Sequence, residues 1–178
     1  MSQLLEVKNL RIELITRDGV APVIDDLSFT LSPGETLSFV GESGCGKSMT
    51  ALALMGLLPD KVGRVAAGNI IFNGEDLSQA SDERLRAIRG NDISMIFQEP
   101  MTSLNPVFTI GEQIAEVLRA HQGMSRRAAW TQAIELLDAV RIPNAKDRAS
   151  DYPFQMSGGQ RQRAMIAMAL ACQPKILI

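Results

Sequence analysis

The sequence predicts a mixed α/β fold with a helical segment inserted into it. Three observations predict this class: short β-rich runs fill the first 40 residues, helical periodicity dominates after residue 98, and an apolar run reappears at 175–178. At 178 residues the chain is long enough for one domain with a full core and short for two. Hydrophobic residues make up 46% and charged residues 21%, which excludes a disordered tail or a coiled-coil rod.

The first half of the chain is predicted to consist mainly of strands. Apolar residues alternate with polar ones over Ile24–Leu31, which predicts a half-buried strand, whereas Thr36–Val40 is nearly all apolar and predicts a strand covered on both faces. A helix over about Lys47–Leu57 is expected to cross over that sheet. The other elements predicted here are strands at Leu4–Val7, Arg11–Thr16, Asn69–Phe72 and Ile93–Phe97 and a helix at about Asp82–Arg89.

After Gln98 the pattern changes from strands to helices. Thr109 and Glu112 form a capping box ahead of apolar residues at helical spacing, which predicts the start of a helix. The polar, proline-punctuated segment 141–156 predicts a loop. Two further helices are predicted, one from about Ser125 and one over Ser157–Cys172, before a buried strand at Lys175–Ile178.

These elements divide the chain into a core at 1–98 and 157–178 and a helical insertion at 99–156. The apolar runs fall far short of the roughly 20 residues that span a bilayer. The formal net charge of −2 gives no basic excess for nucleic acid, and two cysteines make no disulfide framework. We therefore expect a cytoplasmic protein, and any membrane role must come through a partner.

One glycine-rich segment carries a specific motif. Residues 41–48, GESGCGKS, match the phosphate-loop motif GxxxxGK followed by Ser or Thr. The motif stands between a predicted strand and a predicted helix. Glycines let successive N–H groups face phosphate oxygens, Lys47 supplies a charge to the β and γ phosphates, and the Ser48 hydroxyl can ligate magnesium. A plain glycine turn is disfavoured by the rarity of the pattern, but kinases, GTPases and transport ATPases all share it. The predicted nucleotide-binding residues are Gly41, Glu42, Ser43, Gly44, Cys45, Gly46, Lys47, Ser48 and Met49.

A second glycine-containing helix start lies at 157–160. A serine followed by two glycines exposes backbone N–H groups without side-chain obstruction, which is the geometry of an anion site. Standing alone, the segment is better explained as an ordinary N-cap at the end of a loop.

In its motifs the chain resembles the ATP-binding subunits of ABC transporters. The phosphate loop, Gln98 closing a buried strand, the signature at 157–160 and the apolar strand at 175–178 occur in the family's order. Met156 stands where the signature usually begins with Leu, a volume-conserving change. The finer resemblance is to the dipeptide, oligopeptide and nickel importer group, closest to glutathione or peptide import ATPases. It rests on GESGCGKSMTALALMGLLP, FQEPMTSLNP and DYPFQMSGGQRQRAMIAMAL.

The resemblance implies a P-loop ATPase core with an antiparallel β subdomain, and two cassettes that close head to tail. ATP held by Lys47 of one cassette would be capped by the signature of the other, and Gln98 would contact magnesium and the attacking water. Implied cofactors are ATP and Mg²⁺, with Lys47 and Gln98 in catalysis and Ser48 and Gln98 at the metal. The signature residues implied at the nucleotide are Ser157, Gly158, Gly159 and Gln160.

The resemblance also implies partners and a location. These are a second ABC ATPase domain, permease subunits docking on the helical insertion and, indirectly, a solute-binding protein, with no nucleic acid. The implied function is to energise an importer for peptides or a peptide-like solute such as glutathione, from the cytoplasmic face of the membrane.

Two departures from the family pattern matter. The family usually stacks adenine on an aromatic ring upstream of the phosphate loop, and Asp18–Val23 contains none. The family's acidic residues for magnesium and water activation would follow Ile178, so we expect a fragment or an interrupted gene. In that case the C-terminal part of the fold is missing, and the 178-residue chain alone would be inactive.

Two rival functions stay open: a nucleotide-binding module without turnover, and a soluble ABC ATPase acting on DNA or ribosomes. The latter would need long heptad arms or a more basic surface. Among the remaining residues, His121 is expected to be solvated, Cys172 buried, and Cys45 reactive because of its place in the loop.

Overall fold

The structure, a computed structural model, describes residues 3–99 and 103–178. The chain forms two compact units, Met1–Arg86 and Ala87–Ile178. This division does not test the predicted insertion at 99–156, which stays a prediction. None of the helices in the described part of the chain is both long and apolar enough to cross a membrane.

Within the described residues the secondary structure follows the predicted order, except that the strand predicted at Thr36–Val40 is missing and one short strand and one short helix are added. The strands are β1 (Leu5–Thr16), β2 (Gly19–Leu31), β3 (Gly63–Phe72), β4 (Glu75–Asp76), β5 (Ile93–Ser94) and β6 (Ile176–Leu177). The α-helices are α1 (Lys47–Leu54), α2 (Asp82–Ile88), α3 (Ile110–Gln122), α4 (Arg126–Ala139), α5 (Ala145–Arg148) and α6 (Gly158–Leu170). Single turns of 3-10 helix lie at Leu77–Gln79 and Pro153–Gln155.

An antiparallel sheet in the order β2-β1-β3-β4 builds the first unit. The two runs predicted before residue 17 are one strand, β1, because bulges in its pairing between Val7 and Ile12 absorb the polar residues there. Asn9 lies in this stretch with a left-handed φ of 45°. The fully buried residues of β1 and β3 include Val7, Leu10, Ile12 and Ile70.

The prediction of a strand at Thr36–Val40 is wrong. This segment is not part of a strand, and Phe39 and Val40 are 43% and 95% exposed. A central strand needs backbone partners along its edges, and no strand in the described residues pairs with this segment. The apolar pattern indicated a preference for burial, but it carried no information about the partner strand.

In the second unit, β5 and β6 pair in parallel. The Ile178 amide donates to the Ser94 carbonyl at 2.9 Å, and the Ile96 amide donates to the Ile178 carbonyl at 2.8 Å. The strand at Ile93–Ser94 is shorter than the predicted Ile93–Phe97, although the Ile96 amide continues the pairing beyond it.

Three capped helices, α3, α4 and α6, form the core of the second unit. The N-caps are Thr109, Ser125 and Ser157, each accepting a hydrogen bond from the amide three residues on. The capping box predicted at Thr109 and Glu112 is only half formed, because the Glu112 carboxylate accepts from Arg119 Nη2 at 2.6 Å instead. Gly111 allows a close approach, since a Cβ there would lie 2.8 Å from the Ala149 carbonyl oxygen and 2.9 Å from the Trp130 ring. The buried residues contributed by these three helices include Ile110, Ile114, Leu118, Ala129, Ala133, Leu137, Ala164 and Ala167.

Three local predictions need correction. The segment 141–156 is not all loop, because α5 and a 3-10 turn lie within it; Asn144 precedes α5 with a left-handed φ of 53°. Helix α1 ends at Leu54 rather than at about Leu57, because Gly56 adopts a left-handed conformation that ends the helix. His121 is half-buried beside Gly90 rather than fully solvated.

Candidate nucleotide-binding site

The glycine-rich loop of the first unit turns directly into α1. The Cys45 amide donates to the Glu42 carbonyl at 3.3 Å, which closes a turn. Gly46 is the N-cap of α1 with φ 90° and ψ 0°, and its carbonyl accepts bonds from the Thr50 amide and hydroxyl at 2.9 and 3.1 Å. The loop therefore has one defined path into the helix.

Gly46 is required for two reasons. Its positive φ disfavours any residue with a side chain, and a Cβ there would collide with the Ile24 side chain of β2. Ile24 thus packs against the base of the loop. The sequence predicted Ile24 to lie in a strand but missed this contact, because nothing in the local pattern links two segments so far apart in the chain.

The Lys47 ammonium lies inside the turn of the loop. Its Nζ donates to the carbonyls of Gly41 and Glu42 at 2.6 and 2.7 Å and lies 3.3 Å from the Cys45 Sγ. A positive charge at the first residue of a helix adds to the partial positive charge of the helix N-terminus. The loop and this cation together suit an anion with several oxygens, such as a polyphosphate.

The other predicted loop residues flank Lys47 along the chain. Ser43, Gly44 and Ser48 are exposed, and Met49 is half-buried on α1. A pocket of about 290 Å³ borders the loop, and its lining includes Cys45, Lys47 and one aromatic residue, Phe39. The Phe39 ring meets the Phe29 ring edge to face, with ring centroids 5.1 Å apart.

The thiol of Cys45 is chemically distinct from that of Cys172. The hydrogen bond from Lys47 lowers the pKa of the exposed Cys45 thiol, and the Lys47 charge adds to this effect. Burial raises the pKa of the Cys172 thiol. At a given pH, Cys45 therefore holds the larger thiolate fraction, which is the reactive form.

We expect iodoacetamide to alkylate Cys45 faster than Cys172, and saturating MgATP to slow the reaction at Cys45 alone. Peptide mapping with and without nucleotide measures both rates. In Lys47→Ala the pKa of Cys45 should rise, so the midpoint of its alkylation should move to higher pH. Equal protection of both cysteines would indicate global tightening, and no protection at Cys45 would contradict the loop assignment.

The second predicted anion site lies at the start of α6 in the second unit. Ser157 and Gln160 form a reciprocal capping box: the Gln160 amide donates to the Ser157 Oγ at 3.3 Å, and the Ser157 amide donates to the Gln160 Oε1 at 2.9 Å. Gly158 and Gly159 are exposed, and a Cβ at either would meet nothing within 4 Å. Packing within the chain therefore does not require these glycines, although each weakens the helix relative to Ala by about 1 kcal/mol.

Gln98 lies in the second unit, two residues after the last hydrogen bond between β5 and β6, and its side chain is exposed. No group of three or more His, Cys, Asp or Glu side chains within 3–99 and 103–178 is placed to hold a metal. Ser48 and Gln98 each offer a neutral oxygen. Because Mg²⁺ prefers oxygen ligands and commonly keeps several waters, either side chain can supply one ligand beside the phosphates of a nucleotide.

The profile of the ABC transporter family matches residues 24–178. A peptide import ATP-binding protein of Brucella melitensis is 54% identical over 98% of this chain and 53% of its own length. An oligopeptide transport ATP-binding protein of Haemophilus influenzae is 53% identical over 100% of the chain and 54% of its own length. A dipeptide transport ATP-binding protein of Bacillus subtilis is 49% identical, again over the whole chain. The chain spans about half the length of the curated relatives it matches.

Two solved structures share the fold. One is a dimeric ATP-binding cassette in a post-hydrolysis state with ADP and phosphate, with a TM-score of 0.85 and 27% identity. The other is a dimeric bacterial ABC transporter cassette, with a TM-score of 0.84 and 26% identity. Each alignment covers 97% of this chain and 72% of the solved chain. The predicted fold class is thereby confirmed.

Proposed function

The chain belongs to the ABC transporter family, and from that premise we propose that it is the ATP-binding and hydrolysing part of an importer for peptides or a peptide-like solute such as glutathione. The observation that carries the proposal is the loop at 41–48, in which the Lys47 ammonium and the start of α1 face the same turn. The names of the relatives, which refer to peptide, oligopeptide and dipeptide import, support the class of solute.

The residues of the loop bind and orient the triphosphate. Lys47 already lies among the loop carbonyls, so a phosphate entering the loop exchanges those acceptors for its own charged oxygens. The backbone amides of the loop and of the first turn of α1 add neutral donors. Binding thereby places the γ phosphate against a fixed positive charge, which stabilises the charge that develops during phosphoryl transfer.

The magnesium ion would be held by the Ser48 hydroxyl and the Gln98 side chain together with the phosphates. When bound, it neutralises phosphate charge during transfer. Gln98 would also orient the attacking water, because its amide is exposed just beyond the end of β5. Both assignments rest on the family resemblance and on the oxygen donors that these side chains carry.

One partner is a second copy of the ATP-binding cassette, and the two copies close head to tail. In this arrangement residues 157–160 of one copy would cap the nucleotide held by Lys47 of the other. The open space around Gly158 and Gly159 supports the assignment, because it leaves room for a ligand contributed by another chain. The dimeric solved relatives support the same stoichiometry.

The remaining partners would be permease subunits, which dock on the insertion at 99–156, and a solute-binding protein that acts through them. This places the protein on the cytoplasmic face of the membrane. The tight packing of α3 around Gly111 supports a docking role, because a rigid helical body transmits the movement of a docked partner.

Reconstitution tests this function. The natural protein and its permease subunits, in proteoliposomes with the solute-binding protein, should take up labelled dipeptides, oligopeptides or glutathione only with MgATP present. A labelled sugar serves as the control solute. The importer assignment would be contradicted if none of the peptides were taken up and the rate of ATP hydrolysis were the same with and without the permease.

A further inference from the structure

We propose that Phe154, supported by Tyr152, provides the aromatic platform for the nucleobase of the nucleotide held by the partner cassette. This inference rests on the proposed head-to-tail function and extends it to a site contributed in trans. It assigns a role to two exposed rings that the fold of the second unit does not use.

The two rings form an exposed parallel pair. Their centroids are 5.5 Å apart and their planes differ by 8°. Phe154 is 70% exposed and Tyr152 is 38% exposed. Tyr152 covers one face of the Phe154 ring. The rest of the Phe154 ring is largely exposed, so a third planar group can stack on it.

The backbone that carries this pair is held in place. Pro153, between the two rings, is buried, and its carbonyl accepts a bond from Arg161 Nη1 at 3.2 Å. The Gln155 Oε1 accepts a bond from the Tyr152 amide at 2.8 Å. The exposure of the rings is thus not a consequence of a loose loop, since a set of local contacts presents them to solvent.

The position of the pair points to the base of a nucleotide. Phe154 lies three residues before Ser157, so their Cα atoms are separated by at most about 11 Å. If Ser157 caps the γ phosphate, the Phe154 ring lies beside the same nucleotide, and the base is the part of that nucleotide that can stack on it. The hairpin ahead of the phosphate loop, at Asp18–Val23, offers no aromatic residue for this purpose.

The chemistry of the pair also favours a base over a protein partner. Aromatic stacking on a base is tolerant of sequence and needs one open ring face. Two rings of at most about 250 Å² each provide less than the roughly 800 Å² per partner that a stable protein interface buries. The pair alone thus offers enough surface for a small planar group, which is the occupant we propose.

Phe154→Ala tests the platform in the purified natural protein. ATP-driven dimerisation should require roughly 5- to 150-fold more ATP, the range that one lost stacking contact predicts. Phe154→Trp should restore the original concentration. Phe108→Ala removes another exposed ring of the same unit and should change nothing. ATP binding to the monomer should be the same in all variants, because the platform acts on the partner's nucleotide.

A photolabel locates the contact. A dimer is assembled from one copy carrying Phe154→Ala and a second, mass-tagged copy carrying Lys47→Ala. Crosslinking with 8-azido-ATP should then label the peptide at 149–161 of the tagged copy. Label on the hairpin at 14–24, or on Phe39 in the segment 36–40, would place the base elsewhere and overturn the proposal.

The outcomes separate this inference from the function on which it rests. If nucleotide binds and drives dimerisation, but Phe154→Ala behaves as the unmodified protein, the platform is wrong and the proposed function stands. Loss of solute uptake with unchanged ATP-driven dimerisation would make the pair a permease contact, which also overturns the platform. Failure of every variant, Phe108→Ala and the unmodified protein included, to dimerise with ATP would refute the head-to-tail function itself.

Discussion

In Lys47→Ala, the affinity of the natural protein for MgATP should fall roughly 10- to 100-fold. The variant loses the ammonium that lies 2.6 and 2.7 Å from two loop carbonyls, and with it the charge that would meet the β and γ phosphates. A hydrogen bond to a charged group contributes about 1.5–3 kcal/mol, which corresponds to this fold-change. Isothermal titration with MgATP measures the affinity.

Lys8→Ala is the matched control. Lys8 lies in the same unit, on β1, and pairs at 2.9 Å with Glu6 at the surface. Its removal changes the net charge by the same amount without touching the loop, so MgATP affinity should stay within about twofold because exposed pairs contribute little. An unchanged titration in Lys47→Ala would remove Lys47 from the binding site.

In the natural protein, Ser157→Arg should abolish ATP-driven dimerisation and hydrolysis while the monomer still binds ATP. Ser157 is exposed at the start of α6, and a bulky cation there would occupy the space that the partner's nucleotide needs. Size-exclusion chromatography with ATP, together with phosphate release, measures both losses. Loss of ATP binding by the monomer would instead place Ser157 in the same site as Lys47 and contradict the head-to-tail arrangement.

Ser125→Arg controls for the lost helix cap. Ser125 caps α4 through a bond of 3.3 Å from the Ala128 amide, the same length as the bond that Ser157 Oγ accepts. Each substitution should therefore lower the free energy of unfolding by a similar amount, about 0.5–2 kcal/mol. Only Ser157→Arg should affect dimerisation, which separates the contact with the partner from the stability of the helix.

The sequence predicted best what depends on neighbouring residues. The helix starts at Thr109, Ser125 and Ser157 could be placed because a cap and the amide that it satisfies lie three residues apart. The phosphate loop could be located for the same reason, since its glycines and Lys47 act on one another within a single turn. Boundaries were less accurate at Leu54, where Gly56 soon ends the helix, and at Ser94, where β5 ends before the predicted Phe97.

Contacts between distant segments could not be predicted. The packing of Ile24 against Gly46 depends on the register of β2 relative to the loop, which no local pattern specifies. At Thr36–Val40 a strand was predicted that does not form. The apolar composition of the segment suggested a strand covered on both faces, but a strand forms only where a neighbouring strand pairs with it. The open Phe154 ring likewise carries no signal in the sequence, because an aromatic residue there is equally consistent with a buried core position.

The alanines between α3, α4 and α6 have a mechanical consequence. Ala129 and Ala133 of α4 and Ala164 and Ala167 of α6 are almost completely buried, so small side chains fill part of a core that longer ones such as Leu137 complete. Methyl groups have no rotamers that could absorb a push, and close-packed interiors have low compressibility. Where these methyl groups pack, α4 and α6 have little room to slide against each other, so we expect a displacement of one helix to carry the other with it.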